Sequence, residues 1–204
     1  MGGDEKGVRA HLPCFLVKKV AFSGKICYNK GMKQPYLECG KIINIHGVRG
    51  AVKAESYCDT PRVLSSLPQL FLKKNGNYEA YKVTRASVGA GKVLLYLEGV
   101  DTADSALLLK GKTLYAKRED LPLAEGAHFI ADLYGLPAVD ADTGRVYGEI
   151  ISVDDMPSSE MYTIKTPSGK EILFPAIPQF VDRVDVDTAV YIRPIPGFFE
   201  EEDA

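Results

Sequence analysis

The side chains able to do chemistry are few, and their spacing suits no reaction. Three histidines (His11, His46, His128) and four cysteines (Cys14, Cys27, Cys39, Cys58) are scattered through a chain of 204 residues. A zinc site needs cysteines and histidines at short, regular intervals; no CxxC pair occurs, and the histidines do not complete a four-ligand pattern with the cysteines. The GxxxxGK[ST] loop that cradles phosphates, the HExxH zinc helix, the GxSxG nucleophile elbow and the GxGxxG fingerprint are all missing. Asp154 and Asp155 are neighbours, so in a strand or turn their carboxylates diverge and cannot share a proton. Asp182, Asp185 and Asp187 alternate in part with Val184 and Val186, the pattern of one solvated strand face rather than of metal ligands. The residues therefore predict no catalytic group, no metal and no cofactor, and four free thiols in a reducing, cytoplasmic setting.

Charge is more informative than chemistry. The net charge is −2, yet residues 1–31 carry +4, residues 32–118 carry +7 (14 basic, seven acidic), and residues 119–204 carry −13 (five basic, 18 acidic). A basic stretch can neutralise phosphates, whereas an acidic one repels RNA and attracts basic proteins. The apolar share of 46% supports a true core,. No run approaches the length of a membrane span, and the apolar stretch 12–22 is interrupted by Lys18 and Lys19,.

The elements that must position these residues are short strands. Residues 1–31 show neither a period of 2 nor of 3.6, and we expect an extension that is disordered or not native, with Met32 as the biological start. Strands are expected at 37–45 and 51–56 around the turn His46-Gly47-Val48-Arg49-Gly50, then at 70–73, 78–87, 92–97 and 113–116. Between the last two, Thr102 can cap a helix carrying Ala103, Ala106, Leu107 and Leu109, which Gly111 can end. Six strands and one helix in residues 32–118 suggest a small barrel, closed or nearly so. Residues 119–126, with Pro122 and Gly126, read as a linker where the charge reverses. A second β-domain follows over 127–199, with strands at 138–140, 146–153, 161–165, 171–174 and 189–193; residues 200–204 form an acidic tail.

The segment 126–136 places apolar and aromatic residues at the junction. Phe129, Leu133 and Leu136 can fill the second core or anchor an interface. Asp132 can accept hydrogen bonds from nearby backbone amides.

At these residues the chain resembles the RimM family. The strand–turn–strand of Gly40-Lys41-Ile42-Ile43-Asn44-Ile45-His46-Gly47-Val48-Arg49-Gly50-Ala51-Val52-Lys53 is similar to that family's opening. So are the helix start Asp101-Thr102-Ala103, the pair His128-Phe129 followed by Asp132-Leu133-Tyr134-Gly135-Leu136, then Gly148-Glu149-Ile150, Phe174-Pro175-Ala176-Ile177-Pro178 and Pro196-Gly197-Phe198-Phe199. The resemblance implies a mainly β protein of two small barrels, the first like those of translation factors and the second of PRC type. It implies a non-catalytic, monomeric maturation factor that binds the head of the small ribosomal subunit, in the pre-30S particle, through the nineteenth protein of the small-subunit series. It further implies a part in 16S rRNA processing. His128, Phe129, Asp132, Leu133 and Gly135 would meet that protein. In the family the aromatic pair is commonly two tyrosines and matters for subunit binding; here His128 and Phe129 keep flat rings without the hydroxyl. From charge and position we add Lys41, His46, Arg49 and Lys53 as residues facing rRNA. The alternative is a barrel protein that binds rRNA without a ribosomal-protein partner, which leaves the acidic half without a role.

Overall fold

Alternating burial along the strands builds both halves of the computed structural model, which describes residues 33–123, 126–156 and 159–199. The expected extension over 1–31 and the acidic tail over 200–204 lie outside the described residues. The first half contains β1 (Tyr36–His46), β2 (Ala51–Ser56), α1 (Pro61–Ser66), β3 (Gln69–Lys74), β4 (Asn77–Gly89), β5 (Lys92–Leu97), α2 (Ala103–Leu107) and β6 (Thr113–Lys117). All six strands pair antiparallel in the order β1-β2-β5-β4-β3-β6, and β6 pairs back to β1, closing a barrel. The inward positions are aliphatic: Ile42, Val52, Leu70, Val93, Leu95 and Leu114 are fully buried.

The predicted strands differ from these by one or two residues at their ends. Thr102 caps α2 as its sequence suggests: its Oγ1 accepts from the Ser105 amide at 3.2 Å, and the Ser105 hydroxyl oxygen accepts from the Thr102 amide at 3.2 Å,. The turn after β1 needs Gly50. Its φ is +72°, and a Cβ there would stand 2.0 Å from the Val100 carbonyl oxygen, so the turn seats directly against the approach to α2,. Helix α1 escapes the sequence pattern because it is under two turns long and fully buries a single side chain, Leu64,.

The second half contains β7 (Pro137–Asp140), β8 (Val146–Asp155), β9 (Glu160–Lys165), β10 (Glu171–Pro175), β11 (Val181–Asp185) and β12 (Ala189–Ile192). They form one six-stranded sheet, β10-β9-β8-β7-β12-β11, in which β7 and β12 run parallel. Its core holds Phe174, Tyr162, Tyr147, Ile150, Ile164 and Ile192, with Phe180, Phe198 and Phe199 packed against it. Strand β11 falls where the acids Asp182 and Asp185 suggest a solvated strand face, although no bounds were expected for it. It is an edge with three charged residues of five and only Val181 and Val184 partly covered. The expected common face for Asp182, Asp185 and Asp187 is not formed: the register shifts between Val181 and Arg183, and Asp187 lies in the turn beyond the strand. No helix among the described residues is long and apolar enough to cross a membrane.

Candidate functional site

The junction is where the two halves share side chains. After β6 the chain makes a short helical turn, Arg118–Asp120, and a second one, Ile130–Asp132, opens the second half. Between them Leu121 and Phe129 fold back into the core of the first barrel, where Phe129 is 3% exposed. The next residues go the other way: Ile130 and Leu133 belong to the second core. Gly135, at φ +79°, turns the chain so that its amide donates to the Ile150 carbonyl at 2.8 Å,. One segment of seven residues is thus pinned at both ends, into different cores.

Arg118 fastens this arrangement. Its two terminal nitrogens donate to both carboxylate oxygens of Asp132, at 2.8 and 2.6 Å, and its Nε donates to the Gln34 carbonyl at 3.0 Å. The guanidinium also lies 5.0 Å from the centre of the Phe129 ring. Such a two-pronged, largely desolvated pair fixes orientation as well as distance. Lys33 and Asp187 make a second tie between the halves at 2.9 Å, but both ends are exposed and its contribution is small,. His128 sits half-buried beside the pair, its Nε2 enclosed without a hydrogen-bond partner among the described residues. Burial holds its pKa below the ordinary imidazole value, although the charge of Asp132 pulls the other way,.

The five residues foreseen at this junction, His128, Phe129, Asp132, Leu133 and Gly135, therefore share one segment while their side chains diverge. Phe129 joins the first core, where the sequence pointed to the second. The Asp132 carboxylate takes the Arg118 guanidinium rather than local amides. Arg118 itself escaped notice, since nothing in a sequence marks which acid a strand-end arginine will meet 14 residues later.

The basic candidates lie along the hairpin formed by β1 and β2 of the first barrel. Lys41 on β1 and Lys53 on β2 are cross-strand neighbours of Glu55 and Asn44 respectively, His46 ends β1, and Arg49 lies in the turn between the strands. Lys41, His46 and Arg49 are exposed, and Lys53 is partly so. Lys92 of β5 pairs with Glu55, which removes the nearest negative charge from competition. No cluster of three or more His, Cys, Asp or Glu residues capable of holding a metal occurs among the described residues. Cys39 and Cys58 are free and buried, and burial holds both thiols above their usual pKa, Cys58 at about 11.

The described residues thus form a closed antiparallel barrel followed by a second six-stranded sheet, and comparison with known proteins assigns both halves to one family. Residues 37–121 match the RimM N-terminal domain, and residues 130–194 match the RimM PRC barrel domain. The ribosome maturation factor RimM of Symbiobacterium thermophilum is 34% identical over 175 residues, covering 84% of this chain and 99% of that protein. Its counterpart in Ruminiclostridium cellulolyticum is 32% identical over 153 residues, covering 74% and 90%. Among solved structures, a 16S ribosomal RNA processing protein RimM of Pseudomonas aeruginosa aligns with a TM-score of 0.40 at 22% identity, over 78% of this chain and 98% of that one. The chain belongs to the RimM family of ribosome maturation factors, and it is not an enzyme.

Proposed function

We propose that this protein assists 16S rRNA processing and late assembly of the small ribosomal subunit, in the cytoplasm and as a monomer, by bridging two kinds of partner in the subunit head. The acidic half holds the basic nineteenth protein of the small-subunit series. The basic half turns Lys41, His46, Arg49 and Lys53 toward the rRNA. The observation that carries this reading is the division of charge, +7 over residues 32–118 against −13 over residues 119–204, in a chain whose halves are clamped together. Opposite fields on two faces select opposite partners, and a clamp presents both in one orientation.

In this reading the junction segment acts mainly by its shape. Phe129 and Leu133 hold it from inside, Gly135 turns it, Asp132 keeps Arg118 in place, and the edge of His128 with the surface around it meets the ribosomal protein. The test is calorimetric titration of the full chain with the purified head protein and, separately, with head-domain rRNA, at two salt concentrations. Micromolar or tighter binding to the protein, weakening several-fold between about 0.1 and 0.3 M salt, is expected. Tight binding to naked rRNA with none to the protein would favour the alternative, an rRNA-binding barrel with no ribosomal-protein partner.

A further inference from the structure

The outer wall of the first barrel carries a second aromatic cluster, separate from the interior. Alternation turns Leu37 and Cys39, Leu70 and Leu72, and Leu114 and Ala116 inward, so Tyr36, Glu38, Phe71 and Tyr115 face out. Phe71 is nonetheless only 5% exposed, because neighbouring rings cover it. Tyr36 meets it edge-on with ring centres 4.8 Å apart, and Tyr115 is its cross-strand neighbour. Tyr36 in turn stacks on Tyr78 at 4.1 Å and 20°, and Tyr78 meets Tyr115 edge-on at 5.1 Å.

Among these rings lies one carboxylate. Glu38 faces Tyr115 across the β1–β6 ladder, and its Oε1 accepts the Tyr115 hydroxyl at 3.2 Å. Its Oε2 is enclosed and accepts no hydrogen bond from the described residues. Burial holds the carboxyl above its ordinary pKa, and the negative charge of Glu38 helps to raise the phenols of Tyr57, Tyr78 and Tyr115. Lys73 supplies a distant positive charge, its ammonium 5.9 Å from the centre of the Tyr78 ring. A cluster that served packing alone would carry a neutral residue at position 38, since an unmatched, desolvated acceptor weakens the fold.

We propose that this wall is a binding site for a cationic side chain, a guanidinium presented by a basic protein segment. Tyrosine faces attract a cation through their negative ring density, and a flat guanidinium can stack on the Tyr36–Tyr78 pair while donating to the unused Glu38 oxygen. An ammonium cannot do both. Phosphate is disfavoured because it would have to approach a carboxylate. Entry requires only that Tyr36 or Tyr78, both partly exposed, swing about their side-chain torsions. The site uses none of the residues assigned to the junction or to rRNA, so its failure would leave the proposed function standing.

The test follows the tyrosine ring signals of the full chain by NMR during titration with N-acetyl-arginine amide, N-acetyl-lysine amide and a short oligouridine. Saturable shifts at Tyr36, Tyr78 and Tyr115 are expected with the arginine probe, several-fold weaker with lysine, and about tenfold weaker in Glu38→Gln. Glu38→Gln keeps an acceptor for the Tyr115 hydroxyl, so its melting temperature should equal or exceed the parent's. Tyr78→Leu, which leaves the carboxylate in place, should also lose the arginine response. No saturable shift in the parent, an unchanged response in either variant, a sharp drop in melting temperature for Glu38→Gln, or a preference for oligouridine would each overturn the proposal.

Discussion

In the first half every strand has two hydrogen-bonded neighbours, and the interior is filled almost wholly by aliphatic side chains. In the second half β10 and β11 end the sheet without pairing to each other, and the core is completed by aromatic rings. Phe198 meets Phe174 edge-on at 5.2 Å, and Phe199 stacks on Tyr147 at 4.2 Å, both brought in from the segment after β12. A ring of strands seals its own edges by backbone pairing, so small branched residues suffice inside. An open sheet of the same size leaves its core uncovered at one side, and large rings from outside the strands make up the missing surface. Among the described residues, the one fully buried aromatic of the first interior cluster, Phe129, is likewise brought in from outside the barrel, and it arrives on the segment that begins the second half.

That contrast can be broken most forcefully at Phe129. Phe129→Ala empties a site inside the closed barrel and should cost about 3–5 kcal/mol in chemical denaturation, with the first half melting earlier. A loss confined to the second half would mean that the ring belongs functionally to the other core. Phe198→Ala is the matching change in the open sheet. Its ring is only partly covered, so a loss of about 1–3 kcal/mol is expected, and amide exchange should quicken in β10 while β1 and β6 stay protected. Uniform loosening of both halves would show that the two cores melt as one.

The smallest effect concerns His128. Its folded pKa is lowered, so the unfolded chain binds the extra proton more readily than the folded one,. The stability it contributes is fully present above the unfolded value of about 6.5 and is lost as pH falls through the folded value. Melting temperatures at pH 7.5 and 5.5 should differ slightly more for the parent than for His128→Gln. An equal difference in both would free the imidazole from any role in joining the halves.

Much of this architecture was legible because it is local. The glycines of the turn after β1, the Thr102 cap and the alternation of β2 and β5 are short-range signals, and they gave the first half strand by strand. Residues 181–185 gave less: their acids read as a solvated strand face, but an edge strand carries too few apolar residues to fix its bounds or its place in the sheet,. The junction gave least. The side chains at 128–136 were visible, but not their destinations: no period distinguishes a phenylalanine bound for the preceding core from one bound for the following core. The Arg118–Asp132 pair and the Glu38 recess arise only when distant strands meet, through contacts that no spacing along the chain announces.

The clamp at Arg118 turns the molecule into a gauge. With Asp132 gripped at both oxygens and Phe129 buried in the opposite core, the span between the two charged faces is set by the fold and not by the reach of a tether. A flexible link would lend the second contact an effective concentration over a broad range of separations; a rigid one concentrates that advantage at a single spacing and forfeits it elsewhere. In the proposed function, a surface whose two landing points match this spacing would be gripped by both faces at once. On that proposal, when those points move apart by more than the side chains can follow, one contact would break, the avidity would go with it, and the protein would leave without any change in itself.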